Sequence, residues 1–241
     1  MIPKKIHYCW FGGNPLPEEA KKCIESWKKY CPDYELIEWN EENFDINSNQ
    51  YVKEAYESKK FAFVTDYVRL YAMYNFGGIY MDTDVEVVRS LDDFLDNKAF
   101  SGFESSNYIP TGIMASEKNF PLFKRFLSYY EDRHFINEDG TLDTTTNTNI
   151  ITNICKEYGL VLNNQFQVLD GFVLYPSDYF CPFENETGIL RKTHNTATIH
   201  WFRKSWIDDG TQKTLGFTRV LHRLFGTEFI HNLAVKLGLR K

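Results

Sequence analysis

The sequence predicts an α/β fold, because strand-like and helix-like segments alternate from the first residues onward. Residues 5–11 (KIHYCWF) are an apolar run closed by Gly12-Gly13, which is typical of a buried strand. Residues 18–30 carry apolar side chains at three- and four-residue spacing, which predicts an amphipathic helix, and residues 34–39 (YELIEW) alternate like a second strand. This order indicates a nucleotide-binding type of opening, although the chain lacks the GxGxxG fingerprint.

The remaining elements follow from the same patterns. Residues 61–76 (FAFVTDYVRLYAMYNF) are apolar almost all round, which predicts a helix buried on most sides that ends at Gly77-Gly78. Polar Asn-rich residues follow the second strand, and Thr/Asn-rich residues 137–149 predict a loop. Further strands are predicted at 79–88, 100–103, 167–175 and 196–202, and further helices at 121–130 and 150–158.

The composition excludes several classes of protein. No apolar run in the 241 residues approaches the roughly 20 that a membrane span needs, and the start lacks a signal peptide, so we expect a cytoplasmic protein. Five cysteines without a CxxC pair support neither a disulfide framework nor a zinc site. A net charge of −6 argues against non-specific nucleic-acid binding. The 17% aromatic content fits either a large core or stacking on sugar and base rings.

The net charge hides an asymmetry between residues 1–215 and residues 216–241. The last 26 residues hold five Lys or Arg and one acid, a formal +4, whereas the first 215 carry a formal −10. Apolar residues recur at helical spacing in this tail, so we divide the chain into a domain and a basic amphipathic helical tail. The tail either packs on the domain or lies on an anionic membrane surface, which would place the protein peripherally on the inner face.

Asp82-Thr83-Asp84 is the first candidate site, because it ends an apolar strand. Alternation along that strand would place Tyr80, Asp82 and Asp84 on one side. Two carboxylates this close to each other repel unless a cation such as Mn²⁺ or Mg²⁺ neutralises them. The alternative for this short motif is two solvated carboxylates at a strand end. An aspartic protease needs Asp-Thr-Gly twice, and a haloacid-dehalogenase-type phosphatase needs a Thr where this chain has Glu86.

Other candidates lie before and after this motif. Asp66 and Arg69 are the only charged residues of the predicted helix 61–76 and share a face, so they either pair with each other or point into a cleft with Asp82. His200 at a strand end is either a core residue or a third metal ligand. Trp10 and Phe11 end the first strand, where we expect stacking by Trp10 and core packing by Phe11.

Three segments together resemble a known family: IPKKIHYCWFGGNPLP, FAFVTDYVRLYAMYNFGGIYMDTDVEVV and IHWFRKSW. They are similar to the DXD-containing glycosyltransferase family 32, which includes fungal Golgi mannosyltransferases and bacterial capsular and surface polysaccharide transferases. A more distant similarity is to the glucosylating toxins of clostridia. The resemblance implies a GT-A fold, a single Rossmann-like α/β domain with a central mixed sheet flanked by helices. It also implies retaining transfer of a sugar from a nucleotide donor.

The resemblance implies roles for individual residues as well. Asp84 would be the direct metal ligand, and Asp82 would contact the ribose and the water shell of the metal. Asp66 and Arg69 would bind the donor sugar and the diphosphate, with Tyr80 nearby. His200 would be the C-terminal metal ligand, and Ser205 and Trp206 would contact the diphosphate. Where many relatives have a Gly-Pro turn before a Thr, this chain has Thr148-Asn149 before Thr152, so it departs from the pattern of the acceptor region.

The function predicted from these residues is metal-dependent retaining transfer of a sugar, from a UDP-sugar to a hydroxyl of a glycan or lipid-linked glycan, in bacterial capsule or surface polysaccharide synthesis. A GDP-mannose-dependent mannosyltransferase and a catalytically silent nucleotide- or carbohydrate-binding module of the same fold are the alternatives. Glu104 is the nearest candidate for a catalytic carboxylate beyond the DTD motif, and no residue can be placed as a nucleophile. Same-face attack by the acceptor hydroxyl is therefore the expected mechanism.

Overall fold

A computed structural model describes residues 1–104, 108–203, 218–219, 221–227 and 230 of the chain. The strands are β1 Lys5–Cys9, β2 Glu35–Trp39, β3 Gly78–Met81, β4 Val85–Val87, β5 Ala99–Gly102, β6 Ile113–Ser116, β7 Gln167–Leu169, β8 Phe172–Tyr175, β9 Phe183–Glu184, β10 Ile189–Leu190 and β11 Thr198–His200. The α-helices are α1 Glu18–Tyr30, α2 Gln50–Glu57, α3 Phe61–Phe76, α4 Pro121–Ser128, α5 Asn147–Glu157 and α6 Ser177–Phe180. Residues 218, 219, 221–225, 227 and 230 are also helical, and we refer to them as the C-terminal helical segment.

Seven strands form the central sheet, in the order β2-β1-β3-β6-β5-β8-β7. Strands β2, β1 and β3 run parallel, β6 is antiparallel to both β3 and β5, β8 is parallel to β5, and β7 is antiparallel to β8. Strands β4 and β11 pair in a separate two-stranded sheet, as do β9 and β10. The predicted fold class is therefore confirmed: the chain is an α/β unit with a central mixed sheet flanked by helices.

The sheet is buried on both faces, because successive side chains of its central strands enter two different cores. Ile79 packs with Trp27 of α1, whereas the adjacent Tyr80 packs with Val68 of α3. Side chains in a strand alternate between the faces, so this division places α1 on one side of the sheet and α3 on the other. Each core buries many aromatic rings, which accounts for about half of the aromatic residues of the chain.

Helices α1 and α3 have the bounds that the sequence predicts. The apolar positions of α1, Ala20, Cys23, Ile24 and Trp27, are buried, as an amphipathic helix requires. Helix α3 ends at Gly77, which has φ +67, and the next residue, Gly78, has φ +113. These left-handed conformations favour glycine, so the double glycine turns the chain directly from α3 into β3.

The single strand predicted over residues 79–88 is wrong. The amide of Asp82 donates to the carbonyl of Gly112 at 2.8 Å, and the amide of Val85 donates to the carbonyl of Asp82 at 3.0 Å, which makes a turn between β3 and β4. The two strands therefore belong to different sheets. Alternation along one strand does not orient Asp82 and Asp84, because neither residue lies in a strand.

The strand predicted over residues 167–175 is also two strands. Asp170 has φ +46 and Gly171 has φ +86, so this Asp-Gly pair forms the tight turn of the hairpin β7–β8. Helix α5 begins at Asn147, inside the predicted loop 137–149. The patterns gave no indication of α2, which Asn49 caps by accepting a hydrogen bond from the amide of Val52, nor of α6 and strands β6, β9 and β10.

Several predictions fall on residues outside the described part of the chain. Ser205, Trp206 and the boundary at 215/216 are among them, so the division into a domain and a tail remains a prediction. None of the described helices combines the length and the apolar character that crossing a membrane requires. All five cysteines are free and buried.

His7 joins the elements that meet beneath the double glycine. Its ring is fully buried, its Nδ1 accepts a hydrogen bond from the indole of Trp39 at 3.0 Å, and its Nε2 donates to the carbonyl of Gly77 at 2.9 Å. The donor-only indole assigns the proton to Nε2, so both contacts require the neutral ring. Burial lowers the pKa of His7 to about 4. A Cβ on Gly78 would lie 3.1 Å from His7 Nε2, which explains why glycine is needed there.

Because the hydrogen bonds of His7 require its neutral ring, the stability of the fold should depend on pH. The folded pKa of about 4 is below the ordinary 6.5, so the unfolded chain binds more protons between these values and stability falls as the pH is lowered through this window. Between pH 7 and 5 we expect His7 to account for a loss of about 2 kcal/mol in the free energy of unfolding. In urea titrations, the free energy of unfolding of a His7→Gln variant should fall by about 2 kcal/mol less than that of the wild type between pH 7 and 5. Equal pH dependence of the two proteins would contradict this role.

Candidate active site

A cleft of about 1170 Å³ opens where the chain leaves strands β1, β3 and β11. Trp10 and Phe11 follow β1, Asp82 follows β3, and Trp201 follows β11; all four line the cleft. In α/β proteins, ligands bind beyond the carboxyl ends of the parallel strands, and β1 and β3 are such strands. A volume of this size is at the upper end of small-molecule sites, which run to about 1,000 Å³.

Arg69 of α3 is the central cation of the cleft. Its Nη2 lies 3.2 Å from Asp66 Oδ1 and 3.4 Å from Asp82 Oδ1, and its Nη1 donates to the carbonyl of Thr111 at 2.7 Å. The side chain is only 6% exposed. Burial on its own would lower the pKa of Arg69, but Asp82 and Asp66 outweigh it and raise the pKa above its ordinary value. Arg69 therefore pairs with Asp66 and also reaches Asp82 in the cleft.

Asp66 lies one turn before Arg69 and behind it. It is absent from the described lining of the cleft, and its Oδ2 accepts a hydrogen bond from the amide of Asn147 at 3.3 Å. The Asn147 side chain in turn donates to the carbonyl of Asp66 at 2.9 Å, which fastens the start of α5 to α3. Burial raises the pKa of Asp66 to about 6 against the opposing effects of Arg69 and Asn147. Its direct contact with a donor sugar stays a prediction.

Tyr80 orients Asp82 from within the sheet. Its hydroxyl donates to Asp82 Oδ1 at 2.7 Å, and its ring lies under the guanidinium of Arg69, with 4.8 Å from Cζ to the ring centroid. Burial raises the pKa of Tyr80 well above its ordinary value, so the hydroxyl remains a donor. Asp82 Oδ1 therefore receives a hydrogen bond and faces a cation, which leaves its Oδ2 available for a further partner.

Asp84 is held by the strand that carries His200. Strands β4 and β11 pair antiparallel, with Val85 opposite His200. Asp84 Oδ1 lies 3.2 Å from His200 Nε2, and Asp84 Oδ2 accepts a hydrogen bond from the amide of Arg203 at 2.8 Å. Burial alone would lower the pKa of His200, but the Asp84 carboxylate reverses this and raises it well above its ordinary value. His200 and Asp84 thus form a close buried pair.

Asp82, Asp84 and His200 can hold a divalent cation. Their ligand atoms lie within 4.8 Å of one another, and two carboxylate oxygens with one imidazole nitrogen form a donor set that suits Mn²⁺. His200 Nδ1 is buried and finds no hydrogen-bond partner in the described part of the chain. A cation between these atoms would compensate the charges of the two carboxylates. The residues present therefore fit the predicted metal. The turn between β3 and β4 brings the two acids together, and the pairing of β4 with β11 brings His200 to Asp84.

Gly112 allows the imidazole to reach this position. A Cβ at this residue would lie 2.7 Å from His200 Nδ1 and Cε1, closer than real Cβ contacts come. The other side of the ring is covered by Phe202, with 4.0 Å between the ring centroids. Sequence reasoning missed Gly112, because the close approach joins two segments that are distant along the chain.

The aromatic candidates have different environments. Phe11 is buried in the core, whereas Trp10 is half-buried and donates through its indole to the carbonyl of Asn14 at 2.5 Å. Both line the cleft, so stacking by Trp10 stays open. Glu104 also lines the cleft.

Thr111 was not identified from the sequence, whereas Thr148 and Thr152 were named there only as a departure from the acceptor-region pattern. Thr111 provides the carbonyl that Arg69 binds, and its hydroxyl lies 3.4 Å from that of Thr148. Thr152 accepts a hydrogen bond from the amide of Ile109 and therefore supports the cleft wall. Other lining residues that the sequence patterns did not single out for the site are Phe183, Arg203 and Arg219.

Residues 17–101, which contain α3 and the DTD motif, match a family model described as "Glycosyltransferase sugar-binding region containing DXD motif". Inositol phosphoceramide mannosyltransferase 3 of Schizosaccharomyces pombe is 33% identical over 128 residues, covering 50% of this chain and 35% of that protein. Uncharacterized glycosyltransferase L373 of Acanthamoeba polyphaga mimivirus is 26% identical over 200 residues, covering 76% of this chain and 78% of that protein. The chain thus spans about a third of the yeast relative and most of the viral one.

A search of solved structures also finds glycosyltransferases. The PaToxG glycosyltransferase superimposes with a TM-score of 0.48 at 17% identity, covering 65% of this chain and 68% of that chain.

The metal site predicts a specific stabilisation by Mn²⁺. At a metal concentration about 100 times Kd, we expect the melting temperature to rise by about 5–10 °C. An Asp84→Asn variant removes one ligand charge and should lose this rise, whereas Asp96→Asn, which changes an exposed acid away from the cleft, should keep it. Differential scanning fluorimetry with and without Mn²⁺ makes the measurement. A rise of equal size in Asp84→Asn would refute the site.

Proposed function

We propose that this chain is a metal-dependent glycosyltransferase that moves a sugar from a nucleoside-diphosphate sugar to a hydroxyl of a glycan or lipid-linked glycan. The observation that carries the proposal is the cluster of Asp82, Asp84 and His200 beside Arg69 in one large cleft. The match of residues 17–101 to the DXD sugar-binding region supports it.

The chemistry calls for positive charge at the leaving group. When the glycosidic bond breaks, negative charge develops on the diphosphate, and groups oriented in advance stabilise it without reorganisation. Bound Mn²⁺ or Mg²⁺ would act as a Lewis acid on the phosphate oxygens, held by Asp82, Asp84 and His200.

The protein contributes a rigid and polar frame to this reaction. Arg69 is fixed by Asp66, Asp82 and the Thr111 carbonyl, so its guanidinium keeps one orientation. Tyr80 fixes Asp82 through a 2.7 Å hydrogen bond. Because these contacts form within the protein, little side-chain freedom remains to be lost when a donor binds.

We propose that the transfer retains the configuration of the donor sugar by same-face attack. A double-displacement mechanism needs a carboxylate nucleophile beside the sugar carbon. Among the described residues of the cleft wall, Asp82 and Asp84 are assigned to the metal, and Glu19 and Glu104 are the other carboxylates, neither of which is assigned as a nucleophile. Without an assigned nucleophile, the acceptor hydroxyl would attack through an oxocarbenium-like state on the face that the diphosphate leaves.

The relatives bear on the choice of donor. The name of the fission-yeast relative assigns mannose transfer to that protein, which favours GDP-mannose as the first donor to test here. A UDP-sugar, expected from the bacterial side of the resemblance, is the second. The role in capsule or surface polysaccharide synthesis and a cytoplasmic location stay predictions. So does the alternative of a binding module without turnover, which would bind donor and release no sugar.

We also propose that residues 216–241 contact an anionic membrane surface, which would suit a lipid-linked acceptor. In the C-terminal helical segment, Leu224 is 69% exposed and Phe225 is 57% exposed, next to the exposed Arg223. Adjacent apolar and basic side chains are typical of helices that lie at the interface of an anionic bilayer.

Turnover tests the proposed reaction. Sugar release or transfer from GDP-mannose, and then from a UDP-sugar panel, should require Mn²⁺ and stop with chelator. Asp84→Ala should lower the rate at least about a hundredfold, because it removes a ligand of the cation that stabilises the leaving group. Arg69→Lys should lower it at least about tenfold by losing the fork that fits Asp66, Asp82 and Thr111.

Arg125→Lys is the matched control for Arg69→Lys, since Arg125 pairs with Glu157 away from the cleft. The control should keep the wild-type rate. Unchanged turnover in Asp84→Ala would contradict the proposed reaction. Binding of a donor without turnover with any acceptor would favour the alternative of a catalytically silent binding module.

Vesicle sedimentation tests the membrane contact. The chain should sediment with vesicles that contain about 30% phosphatidylserine and remain in solution with pure phosphatidylcholine, because the tail is basic. A Leu224→Ser, Phe225→Ser double variant should sediment less, whereas Val161→Ser, at an apolar residue that is 57% exposed elsewhere, should behave like wild type. Equal sedimentation of all three proteins would contradict the proposal.

A further inference from the structure

Two arginines of the C-terminal helical segment donate hydrogen bonds to the hairpin formed by β9 and β10. Arg219 Nε donates to the carbonyl of Asn185 at 3.0 Å and its Nη2 to the Asn185 side chain at 3.3 Å. Arg223 Nε donates to the carbonyl of Thr187 at 2.6 Å and its Nη2 to the carbonyl of Gly188 at 3.2 Å. The arginines are four residues apart, so they lie on one face of a helix.

Gly188 permits this approach. It has φ +65, and a Cβ there would lie 3.0 Å from Arg219 Cδ and 3.1 Å from Arg223 Nη2. The hairpin turn therefore presents carbonyl groups and no side chain at this residue. The C-terminal helical segment is consequently docked on the domain through specific hydrogen bonds, although most of the tail lies outside the described residues.

Only one of the two arginines faces the cleft. Arg219 lines it, with Cζ 5.3 Å from the centroid of the Phe183 ring, whereas Arg223 is not among the described lining residues. The Phe183 ring in turn lies 5.4 Å from that of Trp201, the residue after His200. A continuous path of contacts thus leads from Arg219 to the candidate metal ligand.

Arg69 and Arg219 both line the cleft, but they differ in how far neighbouring carboxylates compensate their positive charge. Arg69 lies between the carboxylates of Asp66 and Asp82. Arg219 hydrogen-bonds to two neutral oxygens of Asn185 and makes no ion pair within the described part of the chain. Arginine presents five donors, so two hydrogen bonds leave others for a ligand. Within the described part of the chain, Arg219 therefore brings a positive charge without an ion pair to a cleft that Glu19, Asp82, Asp84 and Glu104 also line.

We propose that Arg219 binds the phosphate groups of the nucleoside-diphosphate ligand, so that the C-terminal helical segment completes the donor site. This inference rests on the proposed function. A guanidinium is suited to phosphate because its fork of N–H donors matches two phosphate oxygens. The basic character of the tail then serves the reaction directly, apart from any contact with a membrane.

The test measures the Kd of UDP and GDP for the full chain with Mn²⁺ by isothermal titration calorimetry. Arg219→Ala should weaken binding of whichever diphosphate the wild type prefers by about tenfold, and Arg219→Lys by about threefold or less, because it keeps the charge. Arg223→Ala is the matched control, since it removes the same kind of hairpin contact outside the cleft and should leave Kd within about twofold.

Melting temperatures separate the two roles of these arginines. If Arg219 serves only as a clamp, Arg219→Ala and Arg223→Ala should change both the melting temperature and Kd equally, and the proposal is overturned. Arg219→Gln, which keeps a donor for Asn185 without the charge, should still weaken binding and so covers poor folding of the alanine variant. A wild type that binds neither diphosphate overturns the proposed function as well, whereas tight binding by wild type and all variants overturns Arg219 alone.

Discussion

The buried positive charge of Arg69 is the constraint on which the site depends. Removing a guanidinium from water costs several kcal/mol unless carboxylates and carbonyl groups surround it. Asp66, Asp82 and the Thr111 carbonyl do so here, and they come from α3, from the turn after β3 and from the segment before β6. The cost of burying the charge thus requires these three segments to meet. The same arrangement presents an oriented cation to the cleft, so structural support and ligand binding share one set of contacts.

Close backbone approaches bring these segments together. Gly77-Gly78 turns the chain from α3 into β3 within two residues, above the His7 ring that joins β1, β2 and this turn. Elsewhere, Gly112 leaves room for His200, and Gly188 leaves room for two arginines. In each case a side chain would collide with a group that the site or its support requires, so glycine is needed for space as well as for backbone conformation.

Local patterns were reliable where a segment meets the same environment along its whole length. Helices α1 and α3 each bury a continuous surface, and their ends carry Pro or Gly signals, so their bounds agreed with prediction. The strand prediction over 79–88 failed because the Asp82 amide donates to the Gly112 carbonyl and the Val85 amide donates to the Asp82 carbonyl, which breaks the strand at the DTD turn. The hairpin at Asp170-Gly171 had a readable turn signal that the apolar run around it concealed. Short strands such as β6 and β9 owe their pairing to distant partners, which a local pattern does not contain.

The candidate site divides in the same way. Sequence alone determined the α/β class and the chemical types required, namely two acids after a strand, an acid–base pair on a buried helix, and a histidine far along the chain. Tertiary structure decided that Asp84 pairs with His200, that Asp66 lies behind Arg69, and that Gly112, Asn147 and Arg219 take part. The physical reason is that residue type and spacing specify charge and local conformation. Which charges meet depends on strand pairing and helix docking between residues more than a hundred positions apart.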